Sequence, residues 1–495
     1  MVTTVLQWKL DHRRHHQLLL QLIVRVFIGS TASGSVMRYI WKCVDVCWLS
    51  LHKVYALQIT QKKRSLSASS IFLNGLVDSL LFSILFFSFV LQAEERQVAP
   101  GNGVLQKAID LAKPGDTLLL SSGLYTGSIN IHKTVSLLGT RQSVIDGEGS
   151  SHVITVSAPD VLIKGLTIQH SGNDYDFEDS AVFVTEKGHR AVIDSNYFEN
   201  NLIGVYLKGP DAAVVSNNTI IGSTFHRMND RGNGVYLWRT PGSVVKNNDI
   251  RYGRDGIFVN YSKNNLFEGN KFRDLRFAVH YMYTLDSEIK NNISLNNHVG
   301  FALMFSDRIV VTGNQSIGDH ERGLFFNFTN YSVINNNSVS GGVKKCVFIY
   351  NANYNKINNN SFEDCQIGIH FTAGSEKNEI YSNAFINNRT QVKYVGTRYI
   401  EWSKNGTGNY WSDNPSFDID GNGISDQPYQ PNDLVDQIVW RHPMAKLLLN
   451  SPSVKILKWA QSEFPGIHPG GVTDSTPLMK PAETSLIMKR NLSDG

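Results

Sequence analysis

The sequence has 495 residues and a formal net charge of +4, from 47 Lys and Arg against 43 Asp and Glu. The excess lies in residues 1–93, which hold 10 of the basic and 3 of the acidic side chains, so residues 94–495 carry a net charge of −3. We expect no nucleic-acid partner, since no basic stripe marks this main part of the chain, and its length is ample for a large core.

The first 93 residues predict an export signal. The apolar run of residues 76–93 follows the basic "QKKRS" and precedes the polar "EERQ", which is the order of segments in a secretory signal. We therefore assign residues 62–93 to a signal peptide and expect the mature protein to begin near Glu94, with an uncleaved membrane anchor as the alternative. Residues 1–61 show no pattern, and we interpret them as a leader produced by a misassigned start.

A short helix is predicted directly after the signal. In "VLQKAIDLAKPGD", one helical face carries Leu105, Ala108, Ile109 and Ala112. Pro114 and Gly115 end that helix before an apolar strand. Such a helix would cap the end of a stack of strands.

An asparagine recurs at a nearly constant interval through most of the chain. It lies in runs such as "VSNNTI", "VKNNDI" and "INNNSV", and successive copies are 22 or 23 residues apart except for one interval of 30. The positions are Asn196, Asn218, Asn248, Asn270, Asn292, Asn314, Asn337, Asn360 and Asn383. This period is typical of a solenoid. Asparagine suits its turns because it tolerates the left-handed backbone region and its amide can bond to the copy one coil above.

A second strand begins near a glycine in most coils, as in "GVYL", "GIFV", "AVHY" and "GFAL". Alternation points the second and fourth residues inward and the third outward, so Val279 and Tyr281 should lie inside. Short strands at this period without intervening helices predict an all-β fold, a right-handed parallel β-helix over residues 94–408. Leucine-rich repeats share the period but lack this placement of asparagine.

The single interval of 30 residues contains eight extra residues, "STFHRMND", at positions 223–230. Because a solenoid cannot hold such an excess in its core, we expect it to leave the coil as a loop that carries His226 and Met228.

The period fails after Asn383. We expect a Gly- and Asp-rich cap segment at 409–442, helices beginning at Pro443 and Pro452 within 443–475, and a polar tail at 476–495. The apolar side chains of the predicted helices are Leu447, Leu448, Ile456, Leu457, Trp459 and Phe464. They could dock onto a membrane partner or pack on the last coil.

The cap segment contains "DIDGNGISD", which resembles a calcium-binding loop. It places Asp418, Asp420, Asn422 and Asp426 at positions 1, 3, 5 and 9 of an EF-hand-like loop. Position 12 is Tyr429 instead of the usual glutamate. A calcium site and a self-bonded Asx turn therefore both stay open.

Cys346 and Cys365 are the cysteines that would remain after export. A disulfide suits an oxidising compartment, but their spacing of 19 residues does not match one coil. Two buried thiols are the alternative.

The outward positions of the glycine strands carry aromatic residues together with His280, Met282 and Met304. The two methionines occupy the same slot one coil apart, about 4.8 Å by the usual spacing of strands. Thioether and imidazole groups suit Cu(I), so we predict a copper site here, over which His226 or Met228 from the loop could close. The alternative is that the methionines fill an apolar ridge.

Exposed aromatic rows also occur where β-helix proteins hold polysaccharide. For a polysaccharide-binding or polysaccharide-modifying protein of the lyase or epimerase type, the candidate groups are Asp255, Asp274 and Arg276. They precede strands instead of lining the aromatic face, which weighs against that alternative.

Several stretches resemble one family specifically. The sequences "DGIFVNYSKNN", "DLRFAVHYMYT", "GFALMFSDR", "GNYWSDNP" and "PNDLVDQIVWR" are similar to those of the NosD family, the periplasmic maturation proteins of nitrous oxide reductase. The resemblance runs from about residue 100 to about residue 480.

The resemblance implies a non-catalytic periplasmic protein that works with a membrane permease and a cytoplasmic ATPase of the ABC type. Their role would be assembly of the copper–sulfide centre of nitrous oxide reductase. Whether Cu(I) is the cargo, and whether a copper chaperone is a further partner, stays open. This chain has no phosphate-binding G-x-x-x-x-G-K-[ST] loop, so the ATPase would be a separate subunit.

Overall fold

A computed structural model describes residues 93–372, 374–396, 398–449, 451–464 and 470–482. The predicted leader at 1–61 and all but the last residue of the predicted signal at 62–93 lie outside these ranges. Within them, no helix is both long enough and apolar enough to cross a membrane.

The chain winds into a right-handed parallel β-helix, as the repeat predicts. Over the described residues, nearly every coil contributes one short strand to each of three sheets, A, B and C, and the strands within each sheet pair parallel and in register. This arrangement buries each coil against its two neighbours, which is how a solenoid forms a continuous core.

The strands of sheet A are Glu95–Val98, Thr117–Leu120, Ser136–Leu138, Leu162–Lys164, Val192–Asp194, Val214–Ser216, Val244–Lys246, Leu266–Glu268, Glu288–Lys290, Val310–Thr312, Val333–Asn335, Lys356–Asn358 and Glu379–Tyr381. The strands of sheet B are Gly101–Asn102, Gly123–Thr126, Ser143–Asp146, Thr167–Gln169, Tyr197–Glu199, Thr219–Ile221, Asp249–Arg251, Lys271–Arg273, Ile293–Leu295, Gln315–Ile317, Ser338–Ser340, Ser361–Glu363, Ala384–Ile386 and Tyr410–Trp411. The strands of sheet C are Ile129–Ile131, Ile154–Val156, Ser180–Val184, Ile203–Lys208, Val235–Trp238, Asp255–Asn260, Phe277–Met282, Val299–Asp307, Arg322–Asn330, Lys345–Tyr350, Ile367–Thr372 and Val392–Val395.

The recurring asparagines form a buried ladder between sheets A and B. Each side-chain amide donates to the Oδ1 of the asparagine in the next coil, as Asn270 does to Asn292 at 2.9 Å, and the backbone N–H of each donates to the same oxygen. The ladder continues beyond Asn383 to Asn409, where the sequence period had failed. The left-handed conformation falls on the preceding residue, such as Asn291 with φ 55°, and not on the ladder asparagine itself. The sequence therefore predicted the left-handed residue of each turn one position too far along the chain.

The helix predicted at the N-terminal end is present. Helix α1 spans Val104–Leu111 and buries Leu105 and Ile109 over the first coil. It closes the end of the core against water, as expected for a solenoid cap.

The C-terminal region differs from the prediction in two respects. Helix α2 spans Leu434–Arg441 and starts at a capping box between Asp433 and Asp436. This helix lies inside the segment that was predicted to be a Gly- and Asp-rich cap without a helix. The segment Pro443–Leu448 is a 3₁₀ helix and not an α-helix. Helix α3 spans Pro452–Glu463 and begins at Pro452, as predicted, with Ser451 as its N-cap.

The residues after α3 return to the cap. Gly471–Thr473 pairs with Tyr399–Glu401 in a two-stranded sheet, and Leu478 forms bridges to Tyr410 and Ile424. Our expectation of a polar tail from residue 476 is therefore wrong for 476–482, because these residues cover the last coil.

Cys346 and Cys365 form a disulfide, with a Cα–Cα distance of 5.8 Å. Of the two alternatives left open by the sequence, the structure contains the bonded one. The bond links a strand of sheet C to the turn that follows the next strand of sheet B, and such bonds are typical of proteins in an oxidising compartment.

Candidate functional site

The outward face of sheet C carries a column of rings in consecutive coils. We define the ring column as Phe183, Tyr206, Tyr236, Phe258, His280, Ala302, Phe325, Phe348 and His370, which are aligned by the strand register. Neighbouring rings contact one another, stacked or tilted, with centroids 4.5 to 5.3 Å apart, and the column is interrupted only at Ala302 among these positions. The alternation predicted from the sequence thus places His280 at the edge of an aromatic stack.

A second outward column runs beside the rings. It contains Asn260, Met282, Met304 and Asn327 in consecutive coils, and Met282 pairs directly with Met304. Both methionines are partly buried, whereas Val279 and Tyr281 face the core. We call Met282 and Met304 the methionine pair.

Met304 also contacts apolar neighbours. It packs with Val299, Ala302 and Phe325, a small cluster on the outward face that includes Phe277. The packing role that the sequence left open for the methionines therefore has a physical basis at Met304, which as a residue stays partly exposed.

His280 is held by a buried carboxylate. Its Nδ1 lies 3.0 Å from Oδ2 of Asp255, which is fully buried and also accepts two hydrogen bonds from Arg276, at 2.8 Å from Nε and 2.6 Å from Nη2. Burial alone would raise the pKa of Asp255, but the hydrogen bonds from His280 and Arg276 outweigh it and hold the pKa below its ordinary value. Asp255 is therefore anionic and fixes the orientation of the imidazole.

The other nitrogen of His280 has no partner. Its Nε2 atom is buried and makes no hydrogen bond within the described part of the chain. When Nδ1–H donates to the carboxylate, Nε2 presents a lone pair. Metal-binding histidines are commonly held in this way, with a carboxylate on one nitrogen and the metal on the other.

The groups considered for polysaccharide chemistry do not assemble into a site. Asp255 and Arg276 neutralise each other, while Asp274 lies exposed at a left-handed turn with φ 57°. The rings offer little surface, since Tyr206 and Tyr236 are only 2% and 7% exposed. The sequence predicts Asp255 away from the aromatic face, and this prediction is wrong because the carboxylate reaches His280.

The extruded loop turns toward the N-terminal coils. Its residue His226 lines a cleft of about 570 Å³ together with Glu148, His170 and Tyr175. The Tyr175 hydroxyl donates to the backbone carbonyl of Asp230, the last residue of the short 3₁₀ helix Met228–Asp230. The predicted eight-residue loop exists, but the structure does not bring its His226 or Met228 to the methionine pair.

The calcium-like loop satisfies its oxygens internally. Asp418 accepts hydrogen bonds from the backbone N–H groups of Asn422 and Gly423. Asp426 accepts one from the backbone N–H of Ile419 at 2.7 Å. Asp420 accepts from the Asn422 backbone and side chain. Tyr429, at the position of the missing glutamate, donates to Asp413. The Asx-turn alternative accounts for these contacts, and the expectation of calcium has no support.

No group of three or more His, Cys, Asp and Glu side chains that could hold a metal occurs in the ranges that the structure describes. Thioether sulfur is a separate class of donor from these side chains. The methionine pair beside His280 supplies such donors, and Cu(I) is the ion that accepts them with a low coordination number.

Comparison with known proteins identifies the family of this chain. The profile of the family described as "Periplasmic copper-binding protein (NosD)" matches residues 216–416. A Stutzerimonas stutzeri protein named "Probable ABC transporter binding protein NosD" is 41% identical over 386 residues, which cover 75% of this chain and 88% of that protein. This chain belongs to the NosD family.

A NosD protein of the same name from Pseudomonas aeruginosa is 40% identical over 374 residues, covering 73% of this chain and 87% of that protein. Among solved structures, a polygalacturonase from Erwinia carotovora ssp. carotovora is 11% identical with a TM-score of 0.42, covering 62% of this chain and 93% of that one. The part of this chain that matches the NosD profile includes His280 and the methionine pair.

Proposed function

We propose that this NosD-family chain is a non-catalytic periplasmic accessory protein of an ABC-type transporter. We further propose that it binds Cu(I) at His280 and the methionine pair and passes the ion on for assembly of the copper–sulfide centre of nitrous oxide reductase. Its partners would be a membrane permease, a separate cytoplasmic ATPase, nitrous oxide reductase and a copper chaperone. The family's description as periplasmic and copper-binding, and the relatives' name as transporter binding proteins, support this proposal.

The observation that carries the copper assignment is the unpartnered Nε2 of His280. A buried polar atom without a hydrogen bond costs free energy, on the order of 1–3 kcal/mol. Here that atom lies on the same outward strand face as Met282, with Asp255 holding Nδ1 on the other side of the ring. Binding of a soft cation would satisfy it.

The donors also suit transfer instead of permanent storage. Two thioethers and one imidazole are neutral ligands, so a bound Cu(I) keeps its positive charge and can be exchanged to a partner with stronger donors. Thiolates would hold the ion more tightly, and both cysteines that the structure describes are engaged in the disulfide.

The proposal is tested by anaerobic Cu(I) titration against a competing chelator. The Met282→Leu, Met304→Leu double variant keeps the apolar volume nearly constant, at a cost of roughly 1.5 kcal/mol or less per substitution. We expect it to bind Cu(I) at least tenfold more weakly than the parent. Met444→Leu, which changes an exposed methionine of the 3₁₀ helix, is the matched control and should bind like the parent. Equal affinity in the double variant and the parent would refute the assignment.

The assembly role is tested separately in cells. The same double variant should lower the copper content of nitrous oxide reductase while the reductase polypeptide accumulates normally. A fully loaded reductase would show that the methionine pair is not needed for assembly of the reductase's copper centre.

A further inference from the structure

Three cations lie near a half-buried histidine on the outward face of sheet C, toward the C-terminal coils. Arg322 and Lys345 are paired in adjacent strands, and His370 is paired with Lys393 in the next two. We call Arg322, Lys345, His370 and Lys393 the cationic patch. Its residues are spread over 72 positions of the sequence, and only the register of the coils brings them together.

The cations of the patch form no ion pair at contact distance within the described residues, although Glu321 lies close enough to oppose the charges of Arg322 and Lys345. Among the described residues, no ion pair includes Arg322, Lys345 or Lys393, and the nearby Glu321 pairs instead with Lys344 at 3.3 Å. The patch therefore carries an excess of positive charge within four consecutive coils.

Aromatic rings hold two of these cations in place. The Arg322 guanidinium lies 4.5 Å from the centre of the Phe325 ring, and the Lys345 Nζ lies 4.2 Å from the centre of the Phe348 ring. Cation–π contacts of this kind position a charge without neutralising it. They leave the donor groups available to a ligand.

Two buried nitrogen atoms of the patch also lack hydrogen bonds. Arg322 Nε and His370 Nδ1 are both buried and have no partner in the described structure. Burial, with the charges of Lys345, Lys393 and Arg322 added to it, lowers the pKa of His370 to about 3. Burial likewise lowers the pKa of Lys345, and the neighbouring Arg322 and Lys393 lower it further. Each of these effects would be relieved by negative charge at the patch.

We propose that the cationic patch binds a multivalent oxyanion of the phosphate or sulfate class. Three cations on neighbouring strands favour a ligand with more than one negative charge, and a planar guanidinium beside an ammonium is a common pairing for such oxyanions. This site goes beyond the proposed function, since it shares no residue with the copper ligands and predicts a different ligand.

Isothermal titration calorimetry at low ionic strength tests the proposal, with chloride as the background ion. Inorganic phosphate and sulfate represent the free ion, and O-phosphoserine represents the same group on an organic molecule. We expect the full chain to bind at least one of them with a dissociation constant of about 1 mM or tighter. The relative affinities show whether a free ion or an esterified group is preferred, and failure to bind all three would overturn the proposal.

Single-residue variants test whether the oxyanion binds at the cationic patch. Lys345→Met keeps the aliphatic stem over Phe348 and removes the charge, so we expect affinity to fall roughly tenfold. Lys356→Met, on an exposed side chain of sheet A, should bind like the parent. Arg322→Met provides a second test if Lys345→Met does not fold, as judged by circular dichroism. Unchanged affinity in a folded Lys345→Met or Arg322→Met variant would overturn the assignment to this patch.

A second readout separates the patch from a merely structural role. Phosphate should raise the unfolding temperature of the parent and not that of Lys345→Met. Lys345→Met should retain the parent's affinity for Cu(I), so failure of the anion site and failure of the copper site are distinguishable.

Discussion

His280 Nδ1 lies 3.0 Å from Asp255 Oδ2, across 25 positions of sequence and one step of the β-helix. The carboxylate is fully buried, and Arg276 holds its oxygens from the other side. The imidazole is thus fixed on the outward face with its second nitrogen free of hydrogen bonds within the described chain. This relationship turns a residue of an aromatic stack into a candidate metal ligand.

The first prediction concerns Asp255. Asp255→Asn keeps the volume but weakens the hydrogen bond to His280, so we expect Cu(I) affinity to fall roughly tenfold, as is usual when the partner of a metal-binding histidine is lost. Asp274→Asn, which changes an exposed turn, is the control. Chelator competition measures the affinity, and urea unfolding checks that the variant is folded, because Arg276 loses its charged partner. A folded Asp255→Asn chain with parental affinity would contradict the proposed role of His280.

The second prediction concerns the extruded loop. Because His226 lines the cleft with His170 and Tyr175, we expect His226→Ala and Met228→Leu to leave Cu(I) affinity unchanged. Weaker binding in either variant would show that the loop moves to the methionine pair in solution. The same titration as for the methionine variants gives the answer.

Sequence reasoning succeeds where the repeat applies. The period and the alternation of strands place His280, Met282 and Met304 on one outward face, since both follow from the pleat of a strand. The direction of the 223–230 loop could not be predicted, because it depends on a contact between Tyr175 and Asp230 that has no sequence period. The return of residues 470–482 to the cap could not be predicted from the sequence for a similar reason. It rests on Asp474, which accepts from the backbone of Asn409, 65 positions away, at 2.7 Å.

The third prediction concerns pH. Burial raises the pKa of Asp319 to about 6, although Ser294 and Ser316 donate hydrogen bonds to its carboxylate. Since the folded pKa lies above the ordinary value of 3.8, protonation favours the folded state. That contribution is complete below about pH 4 and is lost as the pH rises through 6.

We therefore expect Asp319→Asn to raise the free energy of unfolding at pH 8 by up to about 3 kcal/mol, and to have little effect at pH 4. An amide fits the position, because Asn297 fills the corresponding place one coil earlier. Urea unfolding between pH 4 and pH 8 measures both chains. A variant that is less stable than the parent at pH 8 would contradict the predicted cost of the buried carboxylate.

The last prediction concerns the exposed apolar surface of the C-terminal helices. Leu447 in the 3₁₀ helix is 80% exposed and Ile456 in α3 is 64% exposed, and Met444, Leu448 and Trp459 are exposed nearby. Burying one leucine or isoleucine side chain contributes about 1.5–3 kcal/mol of favourable free energy. Binding of a partner over this surface would therefore be favourable. Under the proposed function, that partner is the membrane permease.

Deleting residues 451–495 would not test this docking, because Asp474 and Leu478 close the last coil. Substitution is the sharper experiment. The Leu447→Ser, Ile456→Ser double variant removes apolar side chains that make no contribution to the core, so the β-helix should unfold at the parent's urea concentration while co-purification with the permease is lost. Lys455→Ser, which changes an exposed polar position next to Ile456, should keep the association. If the double variant still co-purifies with the permease, the permease binds another face of the chain.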